Sequence, residues 1–218
     1  MEFVALSIQE ETFSLTETAK KSHAVSLLKN IDFLLKEKKK KIEDLHLIGV
    51  GIGPGSFTGI RIAVSTARML AQILKIPLIP LSSPLLYASS VEAKEKNKIL
   101  IAFDAKKQRV FGALYQKEKN NLREMITPGD YKIEQLLEKN NSQEKIFFIG
   151  DGVEKYSKEI ISSFPNGEFL SNFNPQGTPV CDLILKKYLK NQNEYKNPFK
   201  VNPFYARLSE AEINKKAL

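Results

Sequence analysis

The stretch LHLIGVGIGPGSFTGIRIAVSTARMLAQIL, from Leu45 to Leu74, most constrains what this chain can fold into. Leu45–Ile52 is an apolar run with hardly any alternation, which predicts a strand buried on both faces, as in a parallel sheet. A turn holding Gly51, Gly53, Pro54, Gly55 and Gly59 follows, and then a helix over Ile60–Leu74 that ends before Pro77. Arg61, Ser65, Arg68, Gln72 and Lys75 make one polar stripe on that helix, and Ile60, Ala63, Val64, Ala67, Ala71 and Leu74 lie roughly opposite. Ile62, Thr66, Met69 and Ile73 are largely apolar as well. A helix apolar around most of its circumference is either enclosed within its own chain or docks onto a second surface.

Strand, glycine turn and helix in that order suggest a phosphate loop, but the spacing fails both familiar patterns. A Walker A loop needs lysine after its last glycine, to meet the terminal phosphates. Here Gly59 is followed by Ile60 and Arg61. The glycines at 51, 53, 55 and 59 also miss the dinucleotide pattern G-x-G-x-x-G. The helix N-terminus offers free amides to an anion, although Pro54 removes one donor. Glycine equally serves a tight turn for purely structural reasons, with Ser56 or Thr58 as the helix cap.

The rest of the chain reads as alternating strands and helices. Phe3–Ile8 and Thr12–Thr18 predict a hairpin. A helix follows from Ser22 as N-cap, with Ala24, Leu27, Leu28, Ile31, Leu34 and Leu35 at helical spacing and Val25 and Phe33 widening its apolar face. Ile76–Ser82 is a short strand and Pro84–Lys94 a helix. The charged connector Glu92–Lys98 places a domain boundary, giving domains 1–95 and 96–218 with the last residues packing back on the first. The second half predicts a hairpin (Ile99–Asp104, Arg109–Gln116), a strand over Leu122–Thr127, a helix over Lys132–Lys139 and a strand over Ile146–Ile149. A helix over Val153–Ser163, a short strand at Phe169–Leu170 and a helix over Pro179–Lys190 complete it. The final residues read as irregular, then helical. Both halves thus open on a hairpin and continue in αβ units. That is the plan of the actin-like (ASKHA, ribonuclease H-like) two-domain α/β fold, with mixed sheets flanked by helices.

At GIGPGSFTGIRIAVSTARMLA the chain resembles the TsaB (YeaZ) family, whose pattern is close to GPGSFTGxRIGxxxAxGLA. Gly53–Arg61 match without a gap, whereas Ala63 and Met69 stand where the family has glycine. SHAVSLL, IPLIPLSSPLLYA, FDAKKQRVFGALY, IGDGVEKY and PFYARLSEAE follow in family order, so the resemblance spans nearly the whole chain. It implies a non-catalytic subunit of the bacterial machinery that adds threonylcarbamoyl to N6 of the adenosine next to the anticodon in tRNAs. On this view the chain pairs with its paralogue TsaD, which transfers the group, while TsaE joins a larger assembly and TsaC makes the activated intermediate. The docking surface would be Ser22, His23, Leu27, Leu28, Ile31, Ile62, Thr66, Met69 and Ile73. Gly53, Pro54, Gly55, Ser56, Phe57, Thr58, Gly59 and Arg61 would form a structural turn that sets the docking helix. No cofactor is expected on the chain alone, with ATP or ADP at the interface of the complex. A homodimer, contact with tRNA only through the complex, no membrane and a cytoplasmic location complete the expectation.

The family opens with a strand like ILAIDTST, whereas this chain begins MEFVALSIQEETFSLTE. The spacing from Val4 to His23 suits the family's second and third strands, so the first strand of domain one is expected to be absent. A mis-assigned start is the alternative. With it goes the aspartate of the superfamily's first phosphate loop. In the second loop Asp104 is followed by Lys106 where glycine is usual, so Asp104 reads as a turn residue. Asp151 reads as a helix cap, and Arg207 as an ion-pairing or partner-contacting residue. His23 and His46 are too few for a metal site. The single cysteine, Cys181, excludes an intrachain disulfide, fits a reducing compartment, and reads as core. Two other classes stay open: an actin-like ATP-binding enzyme, which would need the missing aspartate, and a direct tRNA-binding module, resting on the net charge of +8.

Overall fold

The computed structural model describes residues 2–9, 11–17, 23–119, 121–138 and 144–207. The architecture is α/β throughout. Strands β1 (Glu2–Ile8) and β2 (Glu11–Glu17) form an antiparallel hairpin. Helix α1 (His23–Glu37) follows, then β3 (Ile48–Gly51), α2 (Phe57–Leu74), β4 (Leu78–Leu81) and α3 (Ser83–Ser89). The second run is β5 (Lys98–Asp104), β6 (Val110–Glu118), β7 (Asn121–Tyr131), α4 (Ile133–Glu138), β8 (Ile146–Ile149), α5 (Asp151–Lys155), α6 (Ser157–Ser163) and β9 (Glu168–Phe169). Helix α7 (Gly177–Lys190) is the last long element among the described residues. The predicted N-cap Ser22 and the predicted terminal helix after Arg207 lie outside the described residues.

Contacts divide the chain into two compact units. One holds Met1–Ile52, Thr58–Ser82 and Asn174–Pro203; the other holds Gly53–Phe57, Ser83–Phe173 and Phe204–Leu218. This is not the expected division at residue 95. The charged connector belongs to the second unit because its backbone is laddered to β6. Lys96 donates its N–H to the Lys117 carbonyl, and Lys117 donates to Asn97. Lys98 is buried, with its ammonium 3.6 Å from Glu144. The first unit reclaims α7, which lies against β1, β2 and β4.

In the second unit a five-stranded sheet runs β7-β6-β5-β8-β9. The central strand β5 is antiparallel to β6 and parallel to β8. Its alternate side chains enter two separate cores, Leu100 and Ala102 in one, Ile99 and Ile101 in the other. The first unit contains the same series without the middle. Its hairpin β1-β2 and its parallel pair β3-β4 are separate two-stranded sheets, and among the described residues no counterpart of β5 joins them. Val50, Ile60, Val64, Ala67, Ala71, Leu78 and Val201 form the core beside β3 and β4.

Several elements differ in extent from expectation. Leu45–Leu47 are not strand, because the partner β4 has only four residues to pair with. Only Val50 of β3 is buried, so the expected burial on both faces does not hold. Helix α3 stops at Ser89, where the hydroxyls of Ser89 and Ser90 both donate to the Leu86 carbonyl; such local bonds compete with continuing the helix. The expected helix Val153–Ser163 is two helices, starting at Asp151 and broken at Tyr156 (φ −108°, ψ 27°).

Candidate functional site: exposed apolar faces on two helices

Helix α2 begins at Phe57, three residues before the expected Ile60. Ser56 therefore stands at the N-cap position, while Thr58 and Gly59 lie in the first turn. Gly53 carries φ +111°, a conformation open to glycine but costly for a side chain. Gly53 and Pro54 are buried. The Gly53 carbonyl accepts the N–H of Ser83 at 2.7 Å. The Phe57 ring stacks on Tyr205, centroids 4.6 Å apart. The turn is thus fastened by backbone and aromatic contacts.

Successive helical residues advance about 100° around the axis. On α2 the buried residues Ile60, Val64, Ala67 and Ala71 fall in one narrow sector. Ile62, Thr66, Met69 and Ile73 fall in another, centred roughly 160° away. Arg61, Ser65, Arg68, Gln72 and Lys75 lie between the two rather than opposite the core. The face turned from the core is therefore the apolar one. Met69 is 47% exposed and Ile73 69% exposed, while Ile62 and Thr66 are half-buried.

Helix α1 lies against β1 and β2. Ser26 and Asn30 both donate to the Glu2 carboxylate, at 2.8 Å each, and fix the helix on the hairpin. Leu34 and Leu35 are buried, and Leu27 and Ile31 half-buried. Leu28 is 46% exposed, and Val25 and Phe33 are exposed as well. His23 opens the helix, and Ser22 lies outside the described residues. Of the nine expected docking residues, then, Leu28, Met69 and Ile73 are exposed and apolar; Leu27, Ile31, Ile62 and Thr66 flank them. Sequence reasoning passed over the exposed pair Leu185 and Leu189 on α7, although their spacing of four is the usual sign of one helix face.

The second loop of interest, between β5 and β6, is closed by ion pairs from the loop itself and from α5. Asp104 accepts from Lys106 at 2.8 Å on one oxygen and from Lys155 at 2.9 Å on the other. Those bonds, Lys106 first and then Lys155, hold its carboxyl far below the usual carboxylate range. Asp151 does not cap α5, whose N-cap residue is Gly150; its carboxylate accepts the Asp104 N–H at 2.8 Å. Arg207 makes the expected ion pair, gripping both oxygens of Asp130, which Arg109 also meets. Burial of Asp130 pushes its pKa up, but Arg207 and Arg109 outweigh it and the net shift is downward. Among the described residues no group of three His, Cys, Asp or Glu side chains could hold a metal ion. Burial, then the neighbouring Asp182, pushes the half-buried Cys181 thiol up to about 11, so it is a poor nucleophile at neutral pH. No described helix is long and apolar enough to cross a membrane.

A twice-used hairpin-and-αβ plan, with a glycine turn launching a long helix, defines an actin-like α/β protein. Residues 8–215 match the family model described as TsaD: tRNA N6-adenosine threonylcarbamoyltransferase. The tRNA threonylcarbamoyladenosine biosynthesis protein TsaB of Buchnera aphidicola subsp. Acyrthosiphon pisum is 40% identical over 88% of this chain and 86% of its own. The TsaB protein of Bacillus subtilis is 30% identical over 88% of this chain and 83% of its own. YeaZ from Pseudomonas aeruginosa shares the fold, with a TM-score of 0.78 and 22% identity over 93% of each chain. The chain belongs to the TsaB (YeaZ) family of tRNA threonylcarbamoyladenosine biosynthesis proteins.

Proposed function

We propose that this chain serves tRNA threonylcarbamoyladenosine biosynthesis as a non-catalytic partner subunit that docks on TsaD through α1 and α2. One observation carries the reading: the face of α2 turned away from its core bears Ile62, Thr66, Met69 and Ile73, with Met69 and Ile73 open to solvent. Exposed apolar surface on this helix, and on α1 at Val25, Leu28 and Phe33, is the usual mark of a protein interface. The same face serves a homodimer when TsaD is absent. TsaE joins the larger assembly, and tRNA is met through the complex.

The non-catalytic part of the proposal is supported by Asp104, whose two carboxylate oxygens are held by lysines. We assign ATP or ADP to the interface of the complex. The test is sedimentation of the chain alone and mixed with TsaD from the same organism, with and without ATP. A heterodimer formed at the expense of self-association is expected, with no nucleotide turnover by the chain alone. A monomer indifferent to TsaD overturns the proposal.

A further inference from the structure

We propose that the basic flank of α2, together with residues 196–202 packed beside it, is an RNA-binding surface that holds backbone phosphates and one unpaired base of the tRNA. The inference rests on the reading that the chain serves tRNA modification, and it gives this chain its own part in holding the tRNA within the complex. No Asp or Glu occurs from Leu45 to Val91, nor from Tyr195 to Ser209. The first unit packs these two acid-free stretches together. Val201 shares a core with Ile60, Val64, Ala67 and Ala71 of α2. A short 3₁₀ turn, Pro198–Lys200, precedes it, and the Asn197 side chain caps that turn by accepting the Phe199 N–H at 3.0 Å. The turn sets Phe199 beside the helix, where the Arg68 guanidinium lies over its ring, 5.5 Å from the centroid.

The polar stripe that carries Arg68 lies about 90° round the axis from the core-facing sector and about 110° from the exposed apolar one. It therefore flanks the proposed docking face without belonging to it. Gln72 continues the stripe one turn on, and Lys75 follows the last helical residue, Leu74. Gln72, Lys75, Lys196 and Lys200 are exposed, and Arg68 is half-buried. Among the described residues none of Arg68, Lys75, Lys196 and Lys200 forms an ion pair. Elsewhere cations are answered by acids: Lys36 by Asp32, Lys106 and Lys155 by Asp104, Arg109 and Arg207 by Asp130. Glu194, the acid that precedes the second stretch, accepts from Asn191 at 2.7 Å. Cations left without acids on one surface attract a polyanion. Phe199 decides which one, being 56% exposed with a guanidinium on its ring. Aromatic rings and guanidinium planes are what unpaired RNA bases stack on, whereas an acidic peptide gains little from an open ring.

The probe is an unmodified tRNA transcript, titrated with the full chain, alone and with TsaD, over a range of salt concentrations. Replacing Arg68 and Lys200 together by Gln removes two phosphate contacts, so the slope of log K against log salt should flatten by about 1.4–1.8. Phe199→Ala should weaken binding about fivefold or more and leave the slope unchanged. A control carrying Lys132→Gln and Lys158→Gln, both exposed and outside this surface, changes the net charge equally and should bind like the parent chain. Equal loss in the control, or an unchanged slope for the Arg68 and Lys200 pair, overturns the surface. Unchanged affinity for Phe199→Ala, or equally tight binding of polyglutamate, overturns RNA as its partner. Sedimentation of the same variants with TsaD reads docking separately. A chain that ignores TsaD yet loses tRNA through these substitutions upholds the surface while the docking reading falls. Variants that pair with TsaD and bind tRNA as the parent does have the opposite meaning.

Discussion

At the scale of single residues, Ile73 and Met69 separate association from folding. Each is exposed on the face of α2 opposite the core, so a charge there costs the monomer little. Ile73→Asp is expected to change monomer stability by less than about 0.5 kcal/mol. Association with TsaD should weaken by about tenfold to a hundredfold, the effect of burying a charge in an apolar contact. Leu28→Asp should behave alike, whereas Val64→Asp should unfold the first unit, since Val64 is fully buried. Circular dichroism and titration calorimetry on the three variants distinguish a docking face from core. These residues were legible early because helical spacing separates faces. Which of two apolar faces turns inward was not, since that depends on where β3 and β4 lie.

Asp104 offers a second test at the same scale. Its folded carboxyl titrates below the unfolded value of about 3.9, held there by Lys106 and Lys155. A carboxyl lowered by folding stabilises the protein above the unfolded pKa, and the stabilisation is lost as pH falls through the folded value. Asp104→Asn should therefore cost about 1 kcal/mol at pH 7, an amount limited by solvent screening of its partners. The cost should shrink progressively below about pH 4. Urea unfolding of both proteins at pH 7, 4 and 3 measures this. A difference that does not vary with pH would mean that the ion pairs contribute nothing. Sequence reasoning placed Asp104 in a turn but did not pair it, because Lys155 lies 51 residues away on α5.

At the scale of elements, the strand-to-helix turns after β3 and β8 carry the most specific demands. Gly150 has φ +112° and ψ 160°, a region that only glycine occupies without strain. A Cβ there would also overlap the Ala102 carbonyl oxygen of β5, a backbone atom that cannot step aside. Gly150→Ala is expected to cost about 2–4 kcal/mol from strain and overlap together. A Cβ at Gly167 meets the Phe148 ring and, at 3.2 Å, the Phe164 carbonyl oxygen, but its φ is not in the left-handed region, so Gly167→Ala lacks the strain component and should cost less. Thermal unfolding of both variants reads the difference. Hairpins and helices were visible because their periodicities are local. Element ends were not: β3 is cut to the length of β4, α3 is stopped by two serine hydroxyls, and α5 and α6 part at Tyr156. The charged connector misled for a related reason. It looked like a linker by composition, yet its backbone is bonded to the end of β6.

At the scale of the whole molecule, the two units repeat one plan but differ in how their described strands are laddered. The second has a five-stranded sheet whose central strand is buried on both faces. Among the described residues the first has two sheets of two strands each, and an isolated pair of strands is marginal without packing. Side chains on α1, α2 and α7 carry what a continuous ladder carries in the second unit. Local opening should therefore be easier in the first unit. In native-state exchange of the full chain, amides of β1 and β3 should exchange at least about a hundredfold faster than those of β5, β6 and β8, a gap of roughly 2.7 kcal/mol. Equal protection would mean that helix packing alone makes up for the central strand. Docking on TsaD through α1 and α2 would then slow exchange in those helices directly. In β1 and β3 it would act only by suppressing the opening of the unit that carries them. A partner that narrows the gap without touching the strands would show that the first unit is held together by the interface it helps to present.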